Sequence, residues 1–172
     1  MSSDHEFGAV DSDDSLVTFS ADRLVASVTS ASRRQLVRLW SAYSVDENPR
    51  FAVKCVVARP FIDTWIGISN RALNRSWAIT SGGELDSQYH ELQPLKLLDL
   101  SALRGDTAEW TTAVEFDPGR NRLQFCVNGI TSEWIDCPDV VNPAEWHPYV
   151  ELYVYFSDDR FRCDRFRCVC TF

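Results

Sequence analysis

The chain has 172 residues, 45% of them hydrophobic, and a formal net charge of −8. This length suits one domain with a substantial core, and the acidic balance argues against nonspecific binding to nucleic acid or anionic membrane, which both need a basic surface. No apolar run reaches the length of a transmembrane helix, and the N-terminus lacks the basic and apolar regions of a secretory signal. We therefore expect an intracellular, cytoplasmic protein with no nucleic-acid or membrane partner.

Residues 1–15 are rich in serine and aspartate and have little to bury, so they predict a disordered acidic tail. The remaining residues, 16–172, contain no linker-like stretch that would divide them. We therefore predict a single domain after the tail, with a monomer as the default state.

The first part of the domain contains short segments with the alternation of β-strands, at 16–19 and 24–28. The segment 33–40 fits either an amphipathic helix or a strand with Leu36, Arg38 and Trp40 on one face. The segments 51–58, 64–69 and 77–80 follow as further strand candidates. Within 64–69, Gly67 permits a bulge or a close backbone approach.

The strongest pattern lies between residues 112 and 135, where apolar residues alternate on both sides of two turn signals. Asn128-Gly129 favours a type I′ hairpin turn, which needs positive φ at both central residues. Asp117-Pro118-Gly119 predicts a second turn, with Gly119 available for a left-handed conformation. Three antiparallel strands are therefore predicted here. Two later strand candidates, 149–156 and 161–172, complete an all-β pattern, with a bulge or break expected at Asp164-Arg165.

The order of these segments resembles the SPRY domain, a concanavalin-A-like β-sandwich, over residues 16–172. The matching pieces are PRFAVKCVVA, TWIGIS, NRSWAITSGGELDSQYH, EFDPGRNRLQFCVNG and HPYVELYVYF. The chain departs from the family pattern at Ala52-Val53-Lys54, where many members carry a Glu-Val pair, and at Trp77-Ala78, where they carry Trp-Gly. The resemblance implies a two-sheet antiparallel β-sandwich with little helix.

The resemblance also implies a non-catalytic protein–protein interaction module that recognises a partner protein or short peptide through loops at one edge of the sandwich. Such domains often serve as the targeting part of a larger assembly. Carried over to this chain, the resemblance nominates two loops, 70–76 and the turn at the end of the 149–156 segment. The candidate binding residues are Arg71, Asn74, Arg75, Tyr155, Phe156 and Asp158. Guanidinium and aromatic groups are the usual interaction hot spots, although the same residues could be solvated charges or core.

Two other functions remain open on the same fold. A carbohydrate-binding lectin would stack sugars on exposed aromatic rings, and the candidate tryptophans are Trp110, Trp134 and Trp146. A glycosidase would use the carboxylates of Glu115-x-Asp117, but the family pattern needs a further Glu where this chain has Arg120. The histidines (His5, His90 and His147) suggest no catalytic triad, and we expect no enzymatic activity.

A structural criterion separates these functions. A lectin site would show an exposed tryptophan beside aspartate or asparagine, and a glycosidase would show a carboxylate pair in a cleft. A peptide-binding module would show a groove lined by arginine and aromatic side chains.

The six cysteines are expected to be reduced and mostly buried, because a domain of this size needs no disulfide. Cys163, Cys168 and Cys170 lie close together in sequence, but their spacing is not that of a zinc site. No metal or cofactor is therefore expected.

Overall fold

A computed structural model describes residues 7–11, 17–20, 25–28, 35–57, 62–87, 95–100, 108–154 and 166–171. Within these ranges the chain forms fifteen strands and one 3₁₀ helix. The strands are β1 (Phe7–Asp11), β2 (Val17–Phe19), β3 (Val25–Val28), β4 (Gln35–Ser41), β5 (Arg50–Val57), β6 (Ile62–Asn70), β7 (Arg75–Thr80), β8 (Glu84–Ser87), β9 (Leu95–Lys96), β10 (Ala108–Asp117), β11 (Arg122–Val127), β12 (Ile130–Thr131), β13 (Ile135–Asp136), β14 (His147–Val154) and β15 (Phe166–Thr171). The 3₁₀ helix spans Pro143–Glu145.

The strands form two sheets. Sheet A has the order β1-β4-β14-β6-β7-β8-β9, and sheet B has the order β12-β11-β10-β5-β15-β3-β2, with β13 beside β11. Every strand pair among the described residues is antiparallel. The all-β, two-sheet architecture predicted from the sequence is therefore confirmed.

Alternating side chains from both sheets build one core. Sheet A contributes Ile66, Ile68 and Ile79, while sheet B contributes Phe51 and Phe125; all five are buried. Each such side chain stabilises the fold by about 1.5–3 kcal/mol relative to an exposed position. The intervening residues of each strand lie on an outer face, and in sheet A this outer face carries the candidate site.

The ambiguous segment 33–40 forms a strand where it is described. Val37 and Leu39 are fully buried in the core, whereas Leu36 is exposed and Arg38 is half-buried. Trp40 shares the outer face with Leu36 and Arg38, yet only 6% of it is exposed. Its burial reflects cover by neighbouring side chains on that face.

The predicted meander is also present. Asn128 and Gly129 have φ of 48° and 86°, and the Thr111 amide donates to Asn128 Oδ1 at 2.7 Å. At the other turn, the positive φ (49°) falls on Asn121 instead of Gly119. Asp117 Oδ1 accepts a hydrogen bond from the Gly119 amide, so its side chain closes the turn.

Part of the expected N-terminal tail is paired. Phe7–Asp11 forms β1 and pairs with β4, so these residues extend sheet A before the predicted domain boundary at residue 16. The other tail residues lie outside the described ranges, as does the bulge expected at Asp164-Arg165.

The cysteines whose side chains are described lie in or near the core. Cys55 and Cys137 are buried, and Cys126 is half-buried. Burial is the main cause that raises the pKa of the Cys137 thiol, and the charge of Asp139 adds to it. The side chains of Cys163, Cys168 and Cys170 lie outside the description. Within the described ranges, no group of His, Cys, Asp and Glu side chains could hold a metal ion. No helix in the described part of the chain has the length and apolar character needed to cross a bilayer.

Candidate functional site

The candidate site is a depression of about 380 Å³ on the outer face of sheet A, which we call the sheet A depression. It is lined by Arg38, Trp40, Ser69, Arg71, Asn74, Arg75, Ser76, Asp86, Tyr149 and Glu151. These residues come from five strands and one turn, so the depression depends on the order of strands in the sheet.

Strand register explains the shape of this depression. Trp40 lies opposite Tyr149, Tyr149 opposite Gly67, Gly67 opposite Ala78, and Ala78 opposite Asp86. Directly opposed residues share a face, so the five positions form one row across the outer surface. The two smallest residues occupy the middle of the row. Because Gly67 and Ala78 have almost no side chain, the surface is recessed between the aromatic pair and Asp86.

The turn between β6 and β7 closes one end of the depression and is held by local hydrogen bonds. The Leu73 amide donates to Asn70 Oδ1 at 3.1 Å, and Ser69 Oγ donates to the Arg75 carbonyl at 3.0 Å. Asn74 adopts a φ of 51°, a left-handed conformation that asparagine tolerates better than most residues. Arg71 therefore extends from an ordered turn.

A second segment, 137–146, supports this turn from outside the sheet. Asp139 Oδ1 accepts the indole N–H of Trp77 at 2.7 Å, and Asp139 Oδ2 lies 3.8 Å from Arg75 Nη1. Asn70 Nδ2 also donates to Glu145 Oε2 at 3.4 Å. The position of Arg75 thus depends on a carboxylate that is distant in sequence.

Aromatic rings and a guanidinium pack together at the β4 side of the depression. The Arg71 Cζ lies 5.1 Å from the centroid of the Trp40 ring, a cation–π distance. The Trp40 and Tyr149 rings have centroids 5.3 Å apart at an angle of 39°. The Trp40 indole N–H is buried, and it has no hydrogen-bond acceptor among the described residues.

Beside the rings, Arg38 and Tyr149 both donate to Glu151 Oε2, with an Arg38 Nε distance of 2.8 Å. Burial raises the pKa of Tyr149, and its hydrogen bond to Glu151 and the charge of Glu151 raise it further. Burial alone would lower the pKa of Arg38, but the hydrogen bond and charge of Glu151 prevail and raise it. The tyrosine therefore stays protonated and the arginine charged across the neutral range.

The structure brings together three of the six predicted binding residues. Arg71, Asn74 and Arg75 are exposed and line the same depression. The other three (Tyr155, Phe156 and Asp158) lie outside the described residues.

Sequence reasoning missed the strand residues Arg38, Trp40, Tyr149 and Glu151. In the sequence, these residues are marked only by their alternation with core positions such as Leu39 and Val150. This alternation does not show that β4 and β14 are neighbours in the sheet.

The carboxylates considered for glycosidase chemistry lie on sheet B. Glu115 Oε1 is 2.6 Å from Arg50 Nη2, and Asp117 closes the turn described above. Glu115 also lines a second depression of about 480 Å³, whose charged lining residues are Arg50 and Glu115 themselves. Both carboxylates therefore have a structural partner.

The tryptophans considered for sugar stacking are not open platforms. Trp146 is 1% exposed, and Trp110 is partly buried against the core. Trp134 is half-buried, with the Arg122 Cζ 5.5 Å from its ring centroid. No exposed ring of the kind predicted for a lectin site occurs at these three positions.

Comparison with known proteins identifies the fold. No protein-family model and no curated sequence matches the chain. Similar solved structures include arcelin-5, a lectin-like defence protein from Phaseolus vulgaris (TM-score 0.55, 9% identity, 98% of this chain and 91% of that one). They also include LamAcat from Zobellia galactanivorans (0.56, 9%, 92% and 79%) and the SPRY domain of human HERC1 (0.51, 15%, 92% and 97%). The chain therefore has the concanavalin-A-like β-sandwich fold of these proteins, as the SPRY resemblance implied.

Proposed function

We propose that this chain is a non-catalytic protein-interaction module that binds a peptide segment of a partner protein in the sheet A depression. The observation that carries the proposal is the stacking of Arg71 on Trp40, whose ring packs against Tyr149, within a concave surface. Arginine, tryptophan and tyrosine are the residues most enriched at interaction hot spots, where they contribute the largest share of binding energy.

The rigidity of the site supports binding. Arg71 and Arg75 flank a turn that is fixed by Asn70, Ser69 and Asp139, so little conformational entropy is lost when a ligand orders them. Arginines on a mobile loop would bind the same groups more weakly. This arrangement agrees with a fold in which a rigid sandwich positions recognition loops.

The size and border of the depression suit a short peptide. A volume of about 380 Å³ accommodates a few side chains. Leu73, which lies between Arg71 and Asn74 in the turn, is 53% exposed. It offers an apolar contact next to the charged groups, as at the rim of many interfaces.

The proposal includes no catalytic step and places the chain in an intracellular assembly. The absence of a catalytic step is supported by the contacts of Glu115 with Arg50 and of Asp117 with the Gly119 amide. The covered or packed state of Trp110, Trp134 and Trp146 favours a peptide over a sugar as the ligand.

A displayed random-peptide library, selected in parallel on three proteins, tests this function. The proteins are the wild type, the Arg71→Ala/Arg75→Ala variant and, as a matched control, Arg120→Ala, which removes an exposed arginine from a turn of sheet B. We expect enriched peptides on the wild type and on the control, and at least tenfold less enrichment on the double variant. Equal enrichment on all three proteins, or binding to a glycan array without any enriched peptide, would contradict the proposal.

A further inference from the structure

The sheet A depression presents positive charge to solvent and keeps its nearest carboxylates covered. The side chain of Arg75 is 42% exposed and that of its partner Asp139 is 6% exposed. The side chain of Arg38 is likewise more exposed than that of its partner Glu151, at 32% against 17%. An approaching ligand therefore meets guanidinium groups first, on a chain whose formal net charge is −8.

The remaining carboxylate of the lining is far from the aromatic pair. Asp86 lies on β8, four strands from Trp40 along the row defined above. At the usual strand spacing this separation is roughly 19 Å. Asp86 therefore does not neutralise the charge beside Trp40.

Two donors at the Trp40 side have no acceptor in the described part of the chain. The Arg71 guanidinium stacks on the Trp40 ring but forms no ion pair there. The buried Trp40 indole N–H also has no hydrogen-bond partner. The exposed Arg71 guanidinium is therefore the donor that a ligand can reach, and the Trp40 ring lies directly against it.

We infer that this end of the depression binds the side-chain carboxylate of an aspartate or glutamate in the partner peptide. Arginine forms charge-assisted hydrogen bonds to both oxygens of a carboxylate, so Arg71 supplies the ion pair. The rings of Trp40 and Tyr149, which line the depression beside Arg71, form an apolar wall for the adjoining methylene groups. This inference rests on the proposed function and specifies its ligand.

Proton–nitrogen correlation spectra of the whole chain test the assignment, with the Trp40 indole signal as reporter. The signal is identified by its loss in Trp40→Phe, or by contacts to the Tyr149 ring if that variant does not fold. The probes, at constant ionic strength, are N-acetylglutamate N-methylamide and its glutamine counterpart. We expect the glutamate probe to shift the signal with half-saturation on the order of 1–10 mM, and the glutamine probe to bind at least about fivefold more weakly. Arg71→Gln should abolish the shift, and Arg120→Gln should leave it unchanged.

Equal shifts from the two probes, or a shift that persists in Arg71→Gln, would overturn the carboxylate assignment. N-acetylalanine, whose carboxylate is at the C-terminus, distinguishes the source of the group. Binding of that probe without binding of the glutamate probe would contradict a side-chain ligand. If the library yields peptides while the two side-chain probes shift equally, the proposed function stands and only the carboxylate preference is wrong. A glutamate-specific shift without any selected peptide would support the carboxylate site and contradict the proposed peptide-binding function.

Discussion

Trp77 donates its indole N–H to Asp139 Oδ1 at 2.7 Å, and this bond joins β7 to the segment that supports the candidate site. The Trp77 side chain lies in the core with 2% of its surface exposed, so the indole has no access to bulk water. Asp139 is also the partner of Arg75. One carboxylate therefore contributes both to stability and to the position of a binding residue.

Replacing this carboxylate should separate the two contributions. Asp139→Ala leaves the buried Trp77 N–H without its acceptor, and we expect a loss of about 1–3 kcal/mol in the free energy of unfolding. Asp139→Asn keeps an oxygen acceptor and removes only the charge near Arg75, so it should cost less than about 1 kcal/mol. Urea unfolding of the two variants and the wild type measures these values. Equal losses in both variants would mean that the indole hydrogen bond is not the main contribution.

Gly67 provides a test of the close backbone approach between β6 and β7. A Cβ at this position would lie 2.0 Å from the Trp77 carbonyl oxygen and 2.6 Å from Ala78 Cα, and neither backbone atom can move without disturbing β7. Gly67→Ala should therefore destabilise the protein by more than about 3 kcal/mol or prevent folding. Gly82→Ala is the matched control, since its Cβ meets only Thr80 Oγ1 at 3.5 Å. Thermal unfolding with similar midpoints for both variants would show that the strands can separate to accept a side chain.

Tyr149 should make the stability of the protein depend on alkaline pH. Burial and the contact with Glu151 raise its pKa in the folded state above the ordinary value of 10.0. The protonated tyrosine is thus favoured by folding, so its contribution is fully present below pH 10 and is lost as pH rises further. Unfolding free energies measured from pH 8 to pH 11 should fall less steeply above pH 10 in Tyr149→Phe than in the wild type. Cys137, whose pKa is also raised, is common to both proteins and cancels in the comparison. Parallel curves would contradict the burial of this hydroxyl beside Glu151.

The sequence allowed the strands to be predicted because alternation reports burial directly. Leu123, Phe125 and Val127 face the core as their alternation predicted, and the Asn128-Gly129 turn has the required positive φ angles. The left-handed residue of the other turn was misplaced because Asn121 and Gly119 can both adopt that conformation, and hydrogen bonding by Asp117 decides between them.

The site was predictable only where it follows from local sequence. The polar turn with Arg71 and Arg75 is visible in the sequence as a break between two strands. The placement of Trp40 beside Tyr149, and of Asp139 beneath Arg75, follows from the order of strands in sheet A and from tertiary packing. No periodicity in a single chain encodes these neighbours.

The affinity of one selected peptide for single-arginine variants tests the central claim most directly. We would measure its dissociation constant by fluorescence anisotropy on the wild type, on Arg71→Ala and on Arg120→Ala. Loss of a charged, stacked hot-spot residue from the sheet A depression should weaken binding at least tenfold, or about 1.4 kcal/mol, in Arg71→Ala. The Arg120→Ala value should stay within about twofold of the wild type, because that arginine lies in a turn of sheet B. Unchanged affinity in Arg71→Ala, with both variants folded, would contradict the assignment of partner binding to this depression.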